Sequence, residues 1–211
     1  MSTIGRLLQL LIGLWLFGVS VALLVRAELG LDPWDVLHQG IAERTGISIG
    51  LVVIATSLVV LIAWVPLRQR PGLGTLANVV LVGLSLHATL AVLPATTELP
   101  WQLAFLVVGI LGNGVATGLY IGAGMGPGPR DGLMTGLAAR GVSIRMARTA
   151  IEIAVLGLGW LLGGTVGIGT LAYALAIGPL AHLLIPMFTI PARPIRTPQG
   201  EQRHEAARSH R

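Results

Sequence analysis

The chain has 211 residues, 54% of them hydrophobic and 11% charged, with a mean hydropathy of +0.81. Soluble domains carry charge at roughly a quarter of their positions, so an ordinary water-soluble domain is excluded and the expected partner is a lipid bilayer. The net charge of +5 does not imply nucleic acid: all fourteen cations are arginines at the ends of apolar runs or in the tail, where membrane topology places them. With no cysteine, disulfides, thiol chemistry and thiolate metal sites are excluded as well.

In chain order, six runs approach the roughly 20 residues needed to cross a hydrocarbon core: 7–25, 47–67, 73–93, 102–123, 149–163 and 166–188. Arg6 before the first run resembles the start of a signal peptide. No small-x-small cleavage site follows, however, and the run has a partner later in the chain, so it is read as a span. The fifth run is short, and Arg145 and Arg148 before it can snorkel to lengthen it.

The chain repeats itself. Gly30, Pro33 and Asp35 recur 96 positions later as Gly126, Pro129 and Asp131. After a one-residue slip, Gly74-Thr75-Leu76-Ala77 recurs as Gly169-Thr170-Leu171-Ala172, with His87 matching His182. A four-residue identity with a histidine in register marks a duplication. The expected fold is an all-α integral membrane protein of six transmembrane helices in two three-helix repeats, residues 1–97 and 98–190, followed by a disordered basic cytoplasmic tail at 191–211.

Because three is odd, the second repeat should enter the membrane from the opposite side. Inverted repeats with broken elements at matching positions characterise many secondary transporters. Arginine placement predicts cytoplasmic N- and C-termini: Arg68, Arg70, Arg130, Arg140, Arg145 and Arg148 fall inside, whereas Arg26 and Arg44 fall outside among acidic residues. Trp34, Trp64, Trp101 and Trp160 lie near run ends, as interfacial anchors do, and Trp15 does not.

The two glycine- and proline-rich breaks read as helix starts. In the first, Asp32 suits the N-cap, Pro33 the first turn, and Asp35 a position from which its carboxylate can reach back to the cap; Gly128, Pro129 and Asp131 repeat the pattern. Short helices over 34–44 and 130–140 should follow, either interfacial or re-entrant, the first presenting Trp34, Leu37 and Ile41 on one face with Asp35 and His38 off it. Asp35 and Asp131 either cap these helices or meet a solute or ion at helix N-termini.

Arg145, Arg148 and Glu152 share one face of the fifth run, where the first repeat has Gly50, Val53 and Ser57. An intramembrane carboxylate is costly, and Arg148 is its expected partner; the set is either a specialised site or a local counter-ion pair. His87 and His182 can relay protons, or each can bond a neighbouring backbone carbonyl. Without cysteine or nearby carboxylates they make a poor metal site. Asn78 and Asn113 are expected to bond between helices, and Gly109, Gly112, Gly114 and Gly118 to let helices approach closely. No phosphate loop, zinc-protease helix or serine elbow occurs, so neither enzyme chemistry nor a cofactor is expected.

Gly128-Pro129-Arg130-Asp131-Gly132-Leu133, Asp32-Pro33-Trp34-Asp35-Val36-Leu37 and the Arg145, Arg148, Glu152 set resemble the YczE/YitT-like family of bacterial integral membrane proteins, over nearly all of the chain but the tail. The resemblance implies a multi-pass protein of the bacterial plasma membrane. Pro129, Arg130, Asp131, Arg148 and Glu152 fit its pattern best. Together with Asp35, His87 and His182 they are the candidate solute- or ion-binding residues.

Two functions are expected to compete. One is a secondary transporter or permease of a small solute, with its site between the repeats. The other is a non-transporting accessory protein, supporting a membrane enzyme, an export step or the cell envelope. Either could assemble as a homo-oligomer.

Overall fold

A computed structural model describes residues 3–190; the tail expected to be disordered lies outside the described residues. Eight helices follow in order: α1 (Thr3–Ala27), α2 (Pro33–Thr45), α3 (Ile49–Trp64), α4 (Leu73–Val92), α5 (Leu99–Gly122), α6 (Pro129–Ala138), α7 (Ile144–Leu161) and α8 (Ile168–Phe188). All six apolar runs are helical, and both breaks open short helices.

Four helices, α1, α4, α5 and α8, are long and apolar enough to cross a membrane unaided. The count rises to five if α2 and α3, bent by 116°, act as one broken span. α3 stops at Trp64 rather than reaching residue 67, because Pro66 lacks an N–H and Arg68 turns at φ 51°. α7 starts at Ile144, five residues earlier than expected, and so takes Arg145 and Arg148 into its 18 residues along with Glu152.

α1 and α5, repeat counterparts, form the central pair, with α4 packed on α1 and α8 on α5. Glycines set the separation. A Cβ on Gly13 would lie 2.8 Å from Tyr120 N, and one on its counterpart Gly109 would lie 2.8 Å from Leu24 Cδ2. The expected close approach at Gly109, Gly114 and Gly118 is present, with Gly114 and Gly118 facing α8. Around this frame Leu8, Ile12, Leu58, Ile62, Val107, Leu111, Leu175 and Leu183 are exposed, an apolar girdle suited to lipid and unsuited to water.

The two halves dock reciprocally through their breaks. Gly74 N donates to Met125 O (2.8 Å), and Gly169 N donates to Leu29 O (2.7 Å). Gly30 and Gly126, at φ 112° and 121°, turn the chain into these contacts. Thr75 Oγ1 adds a bond to Pro127 O (2.7 Å). The repeated Gly-Thr-Leu-Ala is therefore the helix start in each half that receives the other half's break. Farther along, Arg44 Nε donates to Leu162 O (3.1 Å) and its counterpart Arg140 to Leu67 O (2.9 Å). Each short helix thus ends just past the C-terminus of the other half's middle helix: α2 packs on α7, and α6 on α3.

α2 is not an amphipathic surface helix. Trp34, Asp35, Val36, Leu37, His38 and Gly40 are all buried, because α2 is wedged beside α3 and α7. The tryptophans divide accordingly. Trp101 and Trp160 are exposed near helix ends, as anchors should be, whereas Trp34 and Trp64 are buried, and Trp64 Nε1 donates to Pro129 O (3.0 Å).

Candidate functional site

Between the halves lies a cavity of about 270 Å³. Several repeat counterparts line it together, including Pro33 with Pro129, Trp34 with Arg130, and Ser57 with Glu152. It is therefore built on the relation between the halves. Of the eight candidate residues, Pro129, Arg130, Asp131, Arg148 and Glu152 line it, and Asp35 lies directly behind, bonded to Arg130. His87 and His182 do not belong to it: both are exposed on α4 and α8, so these two candidates fall outside the site.

The site begins at α2. Asp32 caps the helix, its Oδ1 accepting from Trp34 N (2.8 Å) and Asp35 N (3.0 Å). Asp35 does not reach back to the cap. Its Oδ1 instead meets His38 Nδ1 (2.9 Å) and Arg130 NH2 (3.3 Å). Arg130 NH1 also lies 3.6 Å from Asp32 Oδ1, and the guanidinium sits 5.2 Å from the centre of the Trp34 ring. Arg130 is thus no loop charge: it turns in from α6 and is held by two carboxylates and an aromatic face of the other half. Charges buried this far persist only when paired.

Asp131 does not cap α6 either. Its Oδ2 accepts from Tyr120 OH (2.7 Å). On the facing wall Tyr173 OH donates to Asn113 Oδ1 (2.9 Å), joining α8 to α5 as expected of Asn113; Asn78 lines the cavity without such a bond. Arg148 Nε donates to Glu152 Oε1 (2.8 Å), the i, i+4 pair expected on α7. Four buried polar atoms at or behind the wall have no hydrogen-bonding partner among the described residues: Asp32 Oδ2, Asp35 Oδ2, Trp34 Nε1 and Asn113 Nδ2. Such atoms are expensive in a low-dielectric interior. The described residues contain no grouping of three or more metal-ligating His, Asp or Glu side chains.

The halves differ most at one seam. α3 packs on α4, where the backbone of Gly50 meets that of Gly83: a Cβ on Gly83 would lie 2.4 Å from Gly50 O. Their counterparts are Arg145 and Gly178. There α7 and α8 lack comparable packing, and a Cβ on Gly178 would meet nothing within 4 Å. Arg148 and Glu152 stand on α7 where α3 has Val53 and Ser57, so the seam closed by small and apolar residues in one half is open and charged in the other.

Four site residues were missed in the sequence. The sequence pattern makes Trp34 an interfacial anchor and leaves His38 off the apolar face, though a tryptophan matched in the repeat by an arginine is a usable signal. Tyr120 and Tyr173, the only tyrosines in the chain, had no repeat signature. Their counterparts, Leu24 and Asn78, are of different chemistry.

An all-helical membrane protein with paired charges buried around an internal cavity is the class defined by this arrangement. The chain belongs to the family of unknown function DUF6198, which matches residues 4–186, and to the YczE-like membrane proteins. It is 31% identical over 172 residues to the Bacillus subtilis membrane protein YczE, covering 81% of this chain and 80% of that one. Identity is 42% over 177 residues to a Haemophilus influenzae protein, covering 83% and 81%. With YyaS of Bacillus subtilis it is 28% over 183 residues, covering 83% and 90%. No solved structure matches the chain.

Proposed function

We propose that the protein is a secondary transporter of a small solute, residing in the bacterial plasma membrane with both termini cytoplasmic and its site between two inverted repeats. The observation that carries this reading is the arginine of one half, Arg130, held at the cavity wall by Asp32 and Asp35 of the other. Transport needs a site that both halves share and that each can uncover. A scaffold has no need of a charged cavity in an apolar bundle.

In this reading all six apolar helices cross. α3 and α7, about 24 and 27 Å long at 1.5 Å per residue, fall slightly short of a core of about 30 Å; modest bilayer thinning and the snorkelling of Arg145 and Arg148 make up the difference. With Arg130 turned inward, Arg6, Arg68, Arg70, Arg140, Arg145 and Arg148 still outnumber Arg26 and Arg44 on the cytoplasmic side. The open α7–α8 seam then faces the cytoplasm, and the closed α3–α4 seam faces outward. Exchange of the two seam conformations between the halves is the alternating-access step this architecture supports.

The test is counterflow in proteoliposomes with a panel of labelled small solutes. The reading expects a solute that accumulates with the native protein, and whose flux is lost in Glu152→Gln and Asp131→Asn while both variants still insert and fold. Absence of flux across the panel, with a stable co-purifying membrane protein, would favour an accessory role instead.

A further inference from the structure

We infer that the cavity takes a small organic cation with a planar amidine or guanidine head, and that Arg130 is the resident cation such a solute displaces. The inference rests on the transport reading for its premise that the cavity is a solute site.

Charge comes first. Asp32, Asp131 and Glu152 line the cavity and Asp35 stands behind Arg130, against the two guanidiniums of Arg130 and Arg148. Four carboxylates to two guanidiniums favour a cationic guest over an anion or a neutral molecule, and the low-dielectric surroundings magnify the preference.

Satisfaction of hydrogen bonds comes second. Arg130 makes both of its contacts with the Oδ1 atoms of Asp32 and Asp35, leaving both Oδ2 atoms buried without a donor. A head with several N–H groups in one plane supplies what is missing, as a guanidinium matches carboxylates in a fork.

The wall also has an aromatic face. Trp34 already holds a guanidinium, 5.2 Å from its ring centre, so that ring can take a cation over it. Two buried donors, Trp34 Nε1 and Asn113 Nδ2, also lack partners, so the natural solute carries an acceptor atom besides its cationic head.

Three probes of one shape and different charge test this: benzamidine, benzamide and benzoate, titrated into the purified full-length protein in nanodiscs and followed by calorimetry. Benzamidine is expected to bind at least tenfold more tightly than benzamide, with benzoate weakest. Asp32→Asn should weaken benzamidine at least tenfold. Should that variant fail to fold, Glu152→Gln, on a side chain that is 32% exposed, should weaken it severalfold. Arg130→Ala should tighten it, because the competitor is gone.

Equal binding of benzamide, or tighter binding of benzoate, would overturn the cation assignment while leaving a solute cavity in place. Weaker benzamidine binding by a folded Arg130→Ala protein would overturn the displacement. Failure of all three probes to bind overturns the inference, and the counterflow panel then decides separately whether the protein transports at all.

Discussion

Arg130 lies over the Trp34 ring at 5.2 Å, and these two residues are each other's counterpart in the repeat. Two matched positions of the sequence repeat thus touch each other across the halves. The match is not one of chemistry: a cation stands on one side and its aromatic partner on the other. Asp35, counterpart of Asp131, binds Arg130, whereas Asp131 binds Tyr120.

Removing Arg130 should expose the cost of burying its partners. Arg130→Ala leaves Asp32 and Asp35 without a counter-charge, and stability in detergent should fall by roughly 2–4 kcal/mol, below the range for a fully dry pair because Arg130 is 25% exposed. In a double-mutant cycle, adding Asp35→Asn should recover part of the loss. Strict additivity would deny the coupling.

Reciprocal docking of the breaks predicts matched effects in the two halves. A Cβ on Gly169 would lie 2.7 Å from Gly30 O, and one on Gly74 would lie 2.9 Å from Met125 O. Both neighbours are backbone atoms that cannot swing aside. Gly74→Ala and Gly169→Ala should therefore each cost about 1–3 kcal/mol in unfolding experiments. A large effect in one and none in the other would break the equivalence.

Tyr173→Phe takes from Asn113 Oδ1 the only donor it has among the described residues, where its amide nitrogen already lacks a partner. A loss of about 1–3 kcal/mol is expected, and Asn113→Leu introduced with it should restore some of that, since both polar ends are then gone.

The seams should respond oppositely to bulk. A side chain on Gly83 runs into Gly50 O at 2.4 Å and Ile54 Cγ1 at 2.5 Å, whereas Gly178 has nothing within 4 Å. Gly83→Leu is expected to lower the thermal midpoint by several degrees. Gly178→Leu should leave the midpoint nearly unchanged and yet reduce solute flux, by filling the mouth of the cavity. Comparable destabilisation by both would contradict an open α7–α8 seam.

The helices were legible because apolar runs and repeated glycines are local signals. Asp32 as an N-cap and the Arg148–Glu152 pair were legible for the same reason, each lying within a few residues of its partner. What could not be read was who faces whom. Asp35 and Asp131 look like capping residues from spacing alone, but partners from distant elements, Arg130 and Tyr120, claim their carboxylates first. The repeated Gly-Thr-Leu-Ala was legible as a match but not as a docking site, since a seat for the other half's break exists only after folding. His87 and His182 show the converse: matching in the repeat kept them in register without bringing them to the cavity.

A transporter of this design requires the two halves to enter the membrane from opposite sides, and the lack of cysteine makes that directly measurable. Glu43 and Ala139 are repeat counterparts, both exposed at the far ends of the short helices. Glu43→Cys and Ala139→Cys each create a single reporter for a membrane-impermeant maleimide on intact cells. Labelling of the Glu43→Cys protein from outside, and of the Ala139→Cys protein only after lysis, is the predicted result. Labelling of both from the same side would contradict the inverted repeat, and with it the shared, alternately exposed cavity.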